Sequence, residues 1–158
     1  MPCQAAMRLP ADGKIVSLIT FAPEAAQSDL QVLTATANGY GKRTPIADYS
    51  RKNKGGQGNI AINTGERNGD LVAATLVGET DDLMLITSGG VLIRTKVEQI
   101  RETGRAAAGV RLINLDEGET LVSLERVAEE AEDENTEVEN PEGNEAENTV
   151  SDTEGGEA

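Results

Sequence analysis

Residues 36–58 and 87–109 match without a gap at an offset of 51. Thr36 meets Thr87, Gly39 meets Gly90, Arg43-Thr44 meets Arg94-Thr95, Lys54 meets Arg105 and Gly58 meets Gly109. Leu71-Val72-Ala73 then aligns with Leu121-Val122-Ser123 at an offset of 50. A period of this size means each copy is one supersecondary unit that buries its apolar face only against a neighbour. A third, partial copy opens the chain. "AAMRLPADGKIVSLI", Ala5–Ile19, parallels "AGVRLINLDEGETLVSLE", Ala108–Glu125. The chain therefore starts partway through a repeat, and Met1-Pro2 reads as a truncated or misplaced start.

Each copy reads as short strands between turn signals. Candidate strands are Lys14–Thr20, Gln31–Thr36, Tyr40–Ile46, Asn59–Asn63, Leu71–Val77, Leu83–Thr87, Val91–Thr95, Val110–Asn114 and Leu121–Val127. Asn38-Gly39 and Gly89-Gly90 suit tight hairpins, because such turns require positive φ. About four strands in a copy of this length make one blade of a radial β array. A β-sandwich with an accidental internal echo is the alternative. Aromatic residues are only 2% of the chain, so the core is built from Ile, Leu, Val and Ala. That composition suits thin β layers.

Charge divides the chain in two. All 14 Lys and Arg lie within residues 1–126, together with 15 of the 28 acids. Residues 127–158 hold the other 13 acids and no base. A near-neutral body thus carries an acidic tail, and the net charge of −14 describes neither part. Residues 128–158 have too few bulky apolar side chains to offset ordering entropy, which predicts a disordered tail. Lys42–Arg111 holds 11 of the bases.

Several chemistries are excluded. The chain has no His, so Ser-His and Cys-His nucleophile systems and His-based metal sites are absent. The single cysteine, Cys3, permits no internal disulfide and fits a cytosolic compartment. No apolar run approaches the roughly 20 residues of a membrane helix. Asp81-Asp82 and Asp116-Glu117 fall at expected turns and read as solvated carboxylates. "GYGKRT", Gly39–Thr44, departs twice from the phosphate-loop pattern: Arg43 follows the lysine, and Thr36 stands where the first glycine belongs. No catalytic constellation remains.

"KGGQGNIAI", Lys54–Ile62, and "RAAAGVRLI", Arg105–Ile113, each set a cation, small residues and a glycine before an apolar strand. Two readings stand side by side. Glycines permit tight turns and the cations are ordinary solvated charge. Alternatively, repeated cations form a belt around a radial rim, where small residues let a phosphate backbone approach backbone amides. Such a belt would bend duplex DNA without reading bases. Few aromatics argue against base stacking on single strands.

"VLTATANGYGKRTPIADYSRKNKGGQGNIAI", "RNGDLVAATLV" and "DDLMLITSGGVLIRTKVEQIRETGRAAAGVRLINL" resemble the C-terminal domain of the bacterial DNA gyrase A subunit, over roughly residues 4–128. The resemblance implies an all-β fold, a partial β-pinwheel of propeller-like blades with a disordered acidic C-terminal tail. Residues 1–31 would be a remnant of a preceding blade, 32–127 about two blades, and 128–158 the tail. It implies neighbouring blades that exchange strands, and duplex DNA wrapped on a basic rim. It also implies membership of an A2B2 gyrase complex, built from A and B subunits, that introduces negative supercoils at the expense of ATP. The setting is the cytoplasm, at the nucleoid, without a membrane. ATP and Mg2+ would act elsewhere in that complex, so this chain would hold no cofactor. The DNA-cleaving tyrosine belongs to a domain this chain lacks, and Tyr40 and Tyr49 do not match it. The chain would not be catalytic alone.

The family's glycine-rich box survives here as a degenerate echo, "NKGGQG", Asn53–Gly58. The expected DNA contacts are Lys42, Arg43, Arg51, Lys52, Lys54, Gly55, Gly56, Gly58, Arg94, Lys96, Arg101 and Arg105. Arg111 stands apart, since a strand position could turn it inward. The tail would compete with DNA for the belt as a tethered polyanion, or serve only solubility. The topoisomerase IV counterpart of this domain and a propeller-like protein-interaction module are the alternative identities.

Overall fold

A computed structural model describes residues 5–127. The tail expected at 128–158 lies outside the described residues. Seven strands carry the fold: β1 (Gln31–Thr36), β2 (Tyr40–Pro45), β3 (Leu71–Val77), β4 (Asp82–Thr87), β5 (Leu92–Lys96), β6 (Val110–Arg111) and β7 (Leu121–Val127). They form two antiparallel sheets, ordered β3-β1-β2-β6 and β5-β4-β7.

The sequence repeat is reproduced in the strand register. Gln31 faces Pro45 across β1 and β2, and Asp82 faces Lys96 across β4 and β5. Register shifts fall between Ala35 and Thr36 in one copy and between Ile86 and Thr87 in the other. Each hairpin ends in a 3-10 turn, Ile46–Asp48 or Val97–Gln99. Gly39 and Gly90 adopt φ of 80° and 83°, the left-handed region their turns require.

Two copies stack front to back. Leu33 and Ala35 of β1 share one core with Leu83 and Leu85 of β4, Val77, Val97, Ile100, Leu121 and Leu124. At the repeat offset Leu83 and Leu85 correspond to Val32 and Thr34, not to Leu33 and Ala35. Side chains alternate between sheet faces, so opposite faces of equivalent sheets meet. This head-to-tail packing can continue from blade to blade.

The fourth strand of the first sheet comes from the second copy. Val110 and Arg111 of β6 pair with Gly41 and Tyr40 of β2. Neighbouring blades thus exchange a strand. Two glycines sit at the exchange. A Cβ on Gly109, whose φ is +82°, would stand 2.4 Å from the Gly41 carbonyl oxygen. One on Gly41 would collide with the Thr34 carbonyl oxygen of its own blade and crowd the exchanged segment's Leu112 side chain. Gly109 therefore serves the joint between blades rather than the approach of an outside ligand.

Three expected strands are reduced or missing. Val110–Asn114 shortens to the two residues of β6, because the chain leaves β2 at Leu112. Asn59–Asn63 is irregular. Its repeat counterpart is β6, which pairs with the blade before it. Among the described residues no earlier blade offers that edge. Lys14–Thr20 is also irregular and largely exposed. It runs near β3, where the Ser17 hydroxyl donates to the Ala74 carbonyl at 2.6 Å, but it has no full ladder.

Candidate nucleic-acid interface

The segment Arg101–Arg111 is laid along the outer edge of β2. Glu102 bridges to Arg43, the Thr103 amide donates to the Arg43 carbonyl at 3.0 Å, and Arg111 lies opposite Tyr40. Arg101, Arg105 and Arg111 are therefore spaced along one outer edge. In the first copy the corresponding stretch carries Arg51, Lys52 and Lys54, all exposed. Lys54 and Arg105 occupy equivalent positions, each before a positive-φ glycine, Gly58 at 81° and Gly109 at 82°. None of these six cations has a carboxylate within ion-pair distance among the described residues.

Lys42 and Arg43 do not belong to this edge, which corrects the expectation that they contact DNA. Lys42 is fully buried, and its ammonium donates to the Gly104 and Arg105 carbonyl oxygens. Burial pushes its pKa below the ordinary lysine value, and Arg105 adds in the same direction. Arg43 Nε donates to the Ile100 carbonyl, and its Nη1 donates to Gln31 Oε1 at 3.1 Å. The Thr44 hydroxyl donates to the Thr103 carbonyl at 2.9 Å. Three consecutive side chains of one blade thus bind the backbone of the next blade's rim loop. They pin the segment that displays Arg101 and Arg105. A hydrophobic neighbour cannot satisfy those carbonyls, and leaving them unpaired in the interior is costly.

Arg94 and Lys96 lie outward but are partly neutralised. Arg94 pairs with Asp82 at 2.5 Å, and Lys96 approaches Glu98 at 3.8 Å. Gly55 is corrected as an amide donor to phosphate, because its N–H already donates to the Ala6 carbonyl at 3.0 Å. Gly56 accepts from the Arg8 amide. Asp81 departs from the solvated-turn reading as well. It is buried, accepts from the Gly78 amide at 2.7 Å and pairs with Arg126 at 3.3 Å. Asp116 and Glu117 are exposed, in line with it.

Sequence reasoning missed Arg67 and left Arg111 aside. Arg111 is exposed. Its Nη2 donates to the Tyr40 hydroxyl at 2.8 Å and its Nη1 to Asn114 Oδ1 at 3.1 Å. Arg67 lies over the same ring, 4.4 Å from the centroid. The signal was the tyrosine at the β1–β2 turn, where the second copy has Val91. No cluster of three or more metal-ligating side chains occurs among the described residues, and no helix there is long and apolar enough to cross a membrane.

Comparison with known proteins gives this edge a context. A family model described as "DNA gyrase C-terminal domain, beta-propeller" matches residues 31–77 and 81–128. The DNA gyrase A subunit of Neisseria gonorrhoeae is 94% identical over 124 residues, covering 78% of this chain and 14% of that protein. Its Haemophilus influenzae counterpart is 48% identical over the same length and coverage. The chain thus spans about a seventh of the curated relatives it matches. Among solved structures, a DNA gyrase A C-terminal domain superposes with a TM-score of 0.58 at 29% identity, covering 61% of this chain and 33% of that one. A DNA topoisomerase IV C-terminal domain gives 0.68 at 24% identity over 78% and 37%. That second likeness shows the fold alone.

Proposed function

Because the chain belongs to the DNA gyrase C-terminal domain family, we propose that its two blades bind duplex DNA along their outer edge through phosphate contacts. Within a larger gyrase polypeptide this contact would bend and wrap DNA, in support of ATP-dependent negative supercoiling by an A2B2 complex with the B subunit, at the nucleoid. On this reading the chain would contribute DNA contacts, while ATP and Mg2+ would act elsewhere in the complex.

One observation carries the reading. Lys54 and Arg105 stand at equivalent positions of two stacked blades, with Arg51, Lys52 and Arg101 beside them and no acid in ion-pair reach among the described residues. Equivalent cations on successive blades touch a backbone at successive points. That gives affinity from counterion release and bending without base readout. Gly56 and Gly58 leave room there for a phosphate, since a Cβ on either meets no atom closer than 3.4 Å.

The test is binding of the 158-residue chain to a short duplex across a salt series. The five rim contacts by themselves should contribute about −4 to −5 to the slope of log K against log salt. Replacing Lys54 and Arg105 with Gln should lower the slope by about 2. Salt-insensitive capture of a protein partner with no DNA affinity would instead favour the interaction-module reading.

A further inference from the structure

Tyr40 closes the hairpin end of β2, beside the exchanged strand. Two guanidiniums sit over its ring, Arg67 at 4.4 Å from the centroid and Arg111 at 5.4 Å. Arg67 comes from the turn before β3, whose backbone is tied to this hairpin. Asn38 Nδ2 donates to the Glu66 and Arg67 carbonyls at 3.1 and 3.2 Å. Arg111 comes from the next repeat and is held by Asn114 and by the Tyr40 hydroxyl. Three separate chain segments thus converge on one exposed corner. Two like charges share one ring, and neither has a carboxylate within ion-pair distance among the described residues. Cation–π stacking fixes each guanidinium plane while leaving N–H donors toward solvent. A planar donor fork held in that way suits a phosphate.

The cluster is not a general device of the fold. At the repeat offsets Tyr40 becomes Val91 and Arg67 becomes Glu117. A joint that every blade needed would recur. Among the described residues the second copy lacks it, and in the first blade it lies at the end of the edge that carries Arg101 and Arg105.

We propose that Arg67 and Arg111, oriented by Tyr40, form a separate phosphate site that carries the duplex backbone past the rim loop and around the hairpin corner of the first blade. The inference rests on the duplex-binding reading above. It adds a contact at a place the glycine-rich rim loops do not reach. The positive field there also acts on the phenol. The hydrogen bond from Arg111, with the Arg67 charge beside it, pulls the Tyr40 pKa below that of an ordinary tyrosine. A bound phosphate would oppose that pull.

The experiment compares the full chain with R67A/R111A, R67K/R111K, Y40L and R101A/R105A, each titrated against the same duplex over salt, with a thermal melt of every variant. R67A/R111A should weaken binding about tenfold and lower the salt slope by about 1 to 2. R67K/R111K, which keeps the charge, should recover most of the slope. Y40L should weaken affinity while leaving the slope nearly intact, because the charges remain but lose their orientation. Carbon-13 labelling of the tyrosines should show the Tyr40 phenol titrating higher when DNA is bound. A slope and affinity unchanged in R67A/R111A, while R101A/R105A loses both, would overturn this site and leave the rim reading standing. A melting loss shared by Y40L and R67A/R111A without any change in slope would make the cluster a packing device and overturn it too. No salt-dependent binding by the parent chain would overturn both readings.

Discussion

Lys42 and Arg94 both looked like rim cations, and the structure separates them. Lys42 lies on a strand whose edge is covered by the next copy's loop, so its charge is turned to backbone carbonyls. Replacing it with alanine leaves two carbonyls without their donor. K42A should cost about 1–3 kcal/mol, and amide exchange of residues 100–107 should rise with it. DNA affinity would fall indirectly, through a loosened Arg101–Arg105 segment. The lowered pKa of Lys42 also fixes a sign. Between its folded value and the ordinary 10.5, the unfolded chain binds more protons, so this group's contribution to stability rises with pH. The two tyrosines provide a cleaner readout. Arg111 and Arg67 lower the Tyr40 pKa, whereas burial raises that of Tyr49. A tyrosinate absorbance titration should therefore resolve two steps on either side of the ordinary value of 10.0, and Y40F should remove the lower one.

At the scale of the element, the exchanged strand depends on close backbone approach. Gly109 has positive φ, and a Cβ added there would collide with the Gly41 carbonyl oxygen. G109A should destabilise the joint between the blades by about 2 kcal/mol or more, from backbone strain and displacement together. Chemical denaturation checks this, with G118A as the comparison. Gly118 shares the positive φ of 81° but has open space around it, so its loss should be smaller. In the core, L85A removes a fully buried side chain at the blade interface and should cost about 2–5 kcal/mol.

Over the whole molecule, the acidic segment sets the electrostatic balance. Its 13 acids face a body with 14 bases and 15 acids. A tethered polyanion acts at high local concentration. Removing residues 128–158 should therefore tighten DNA binding and steepen its salt dependence, measured by anisotropy beside the intact chain. Equal affinity with and without the segment would reduce it to a solubilising role.

The repeat, the hairpins and the turn glycines were legible in the chain itself. These are local: a strand shows as alternation, and a left-handed turn shows as Asn-Gly or Gly-Gly. The β1–β2–β3 and β4–β5–β7 units follow from them with shared register. Residue type also marked Lys54 and Arg105, since a cation before a positive-φ glycine on an outer loop needs no distant partner; Lys54 is exposed and Arg105 half-buried. Only the tertiary structure decided which side of a blade each charge occupies. The same Arg-Thr pair is buried at Arg43-Thr44, where β6 and its loop cover the strand edge. At Arg94 it is exposed, because β5 is an edge strand of its sheet. The meeting of Arg67, Tyr40 and Arg111 is likewise invisible in the chain, where 71 positions separate Tyr40 from Arg111. Pairing across blades is a matter of folded geometry, and no local pattern encodes it.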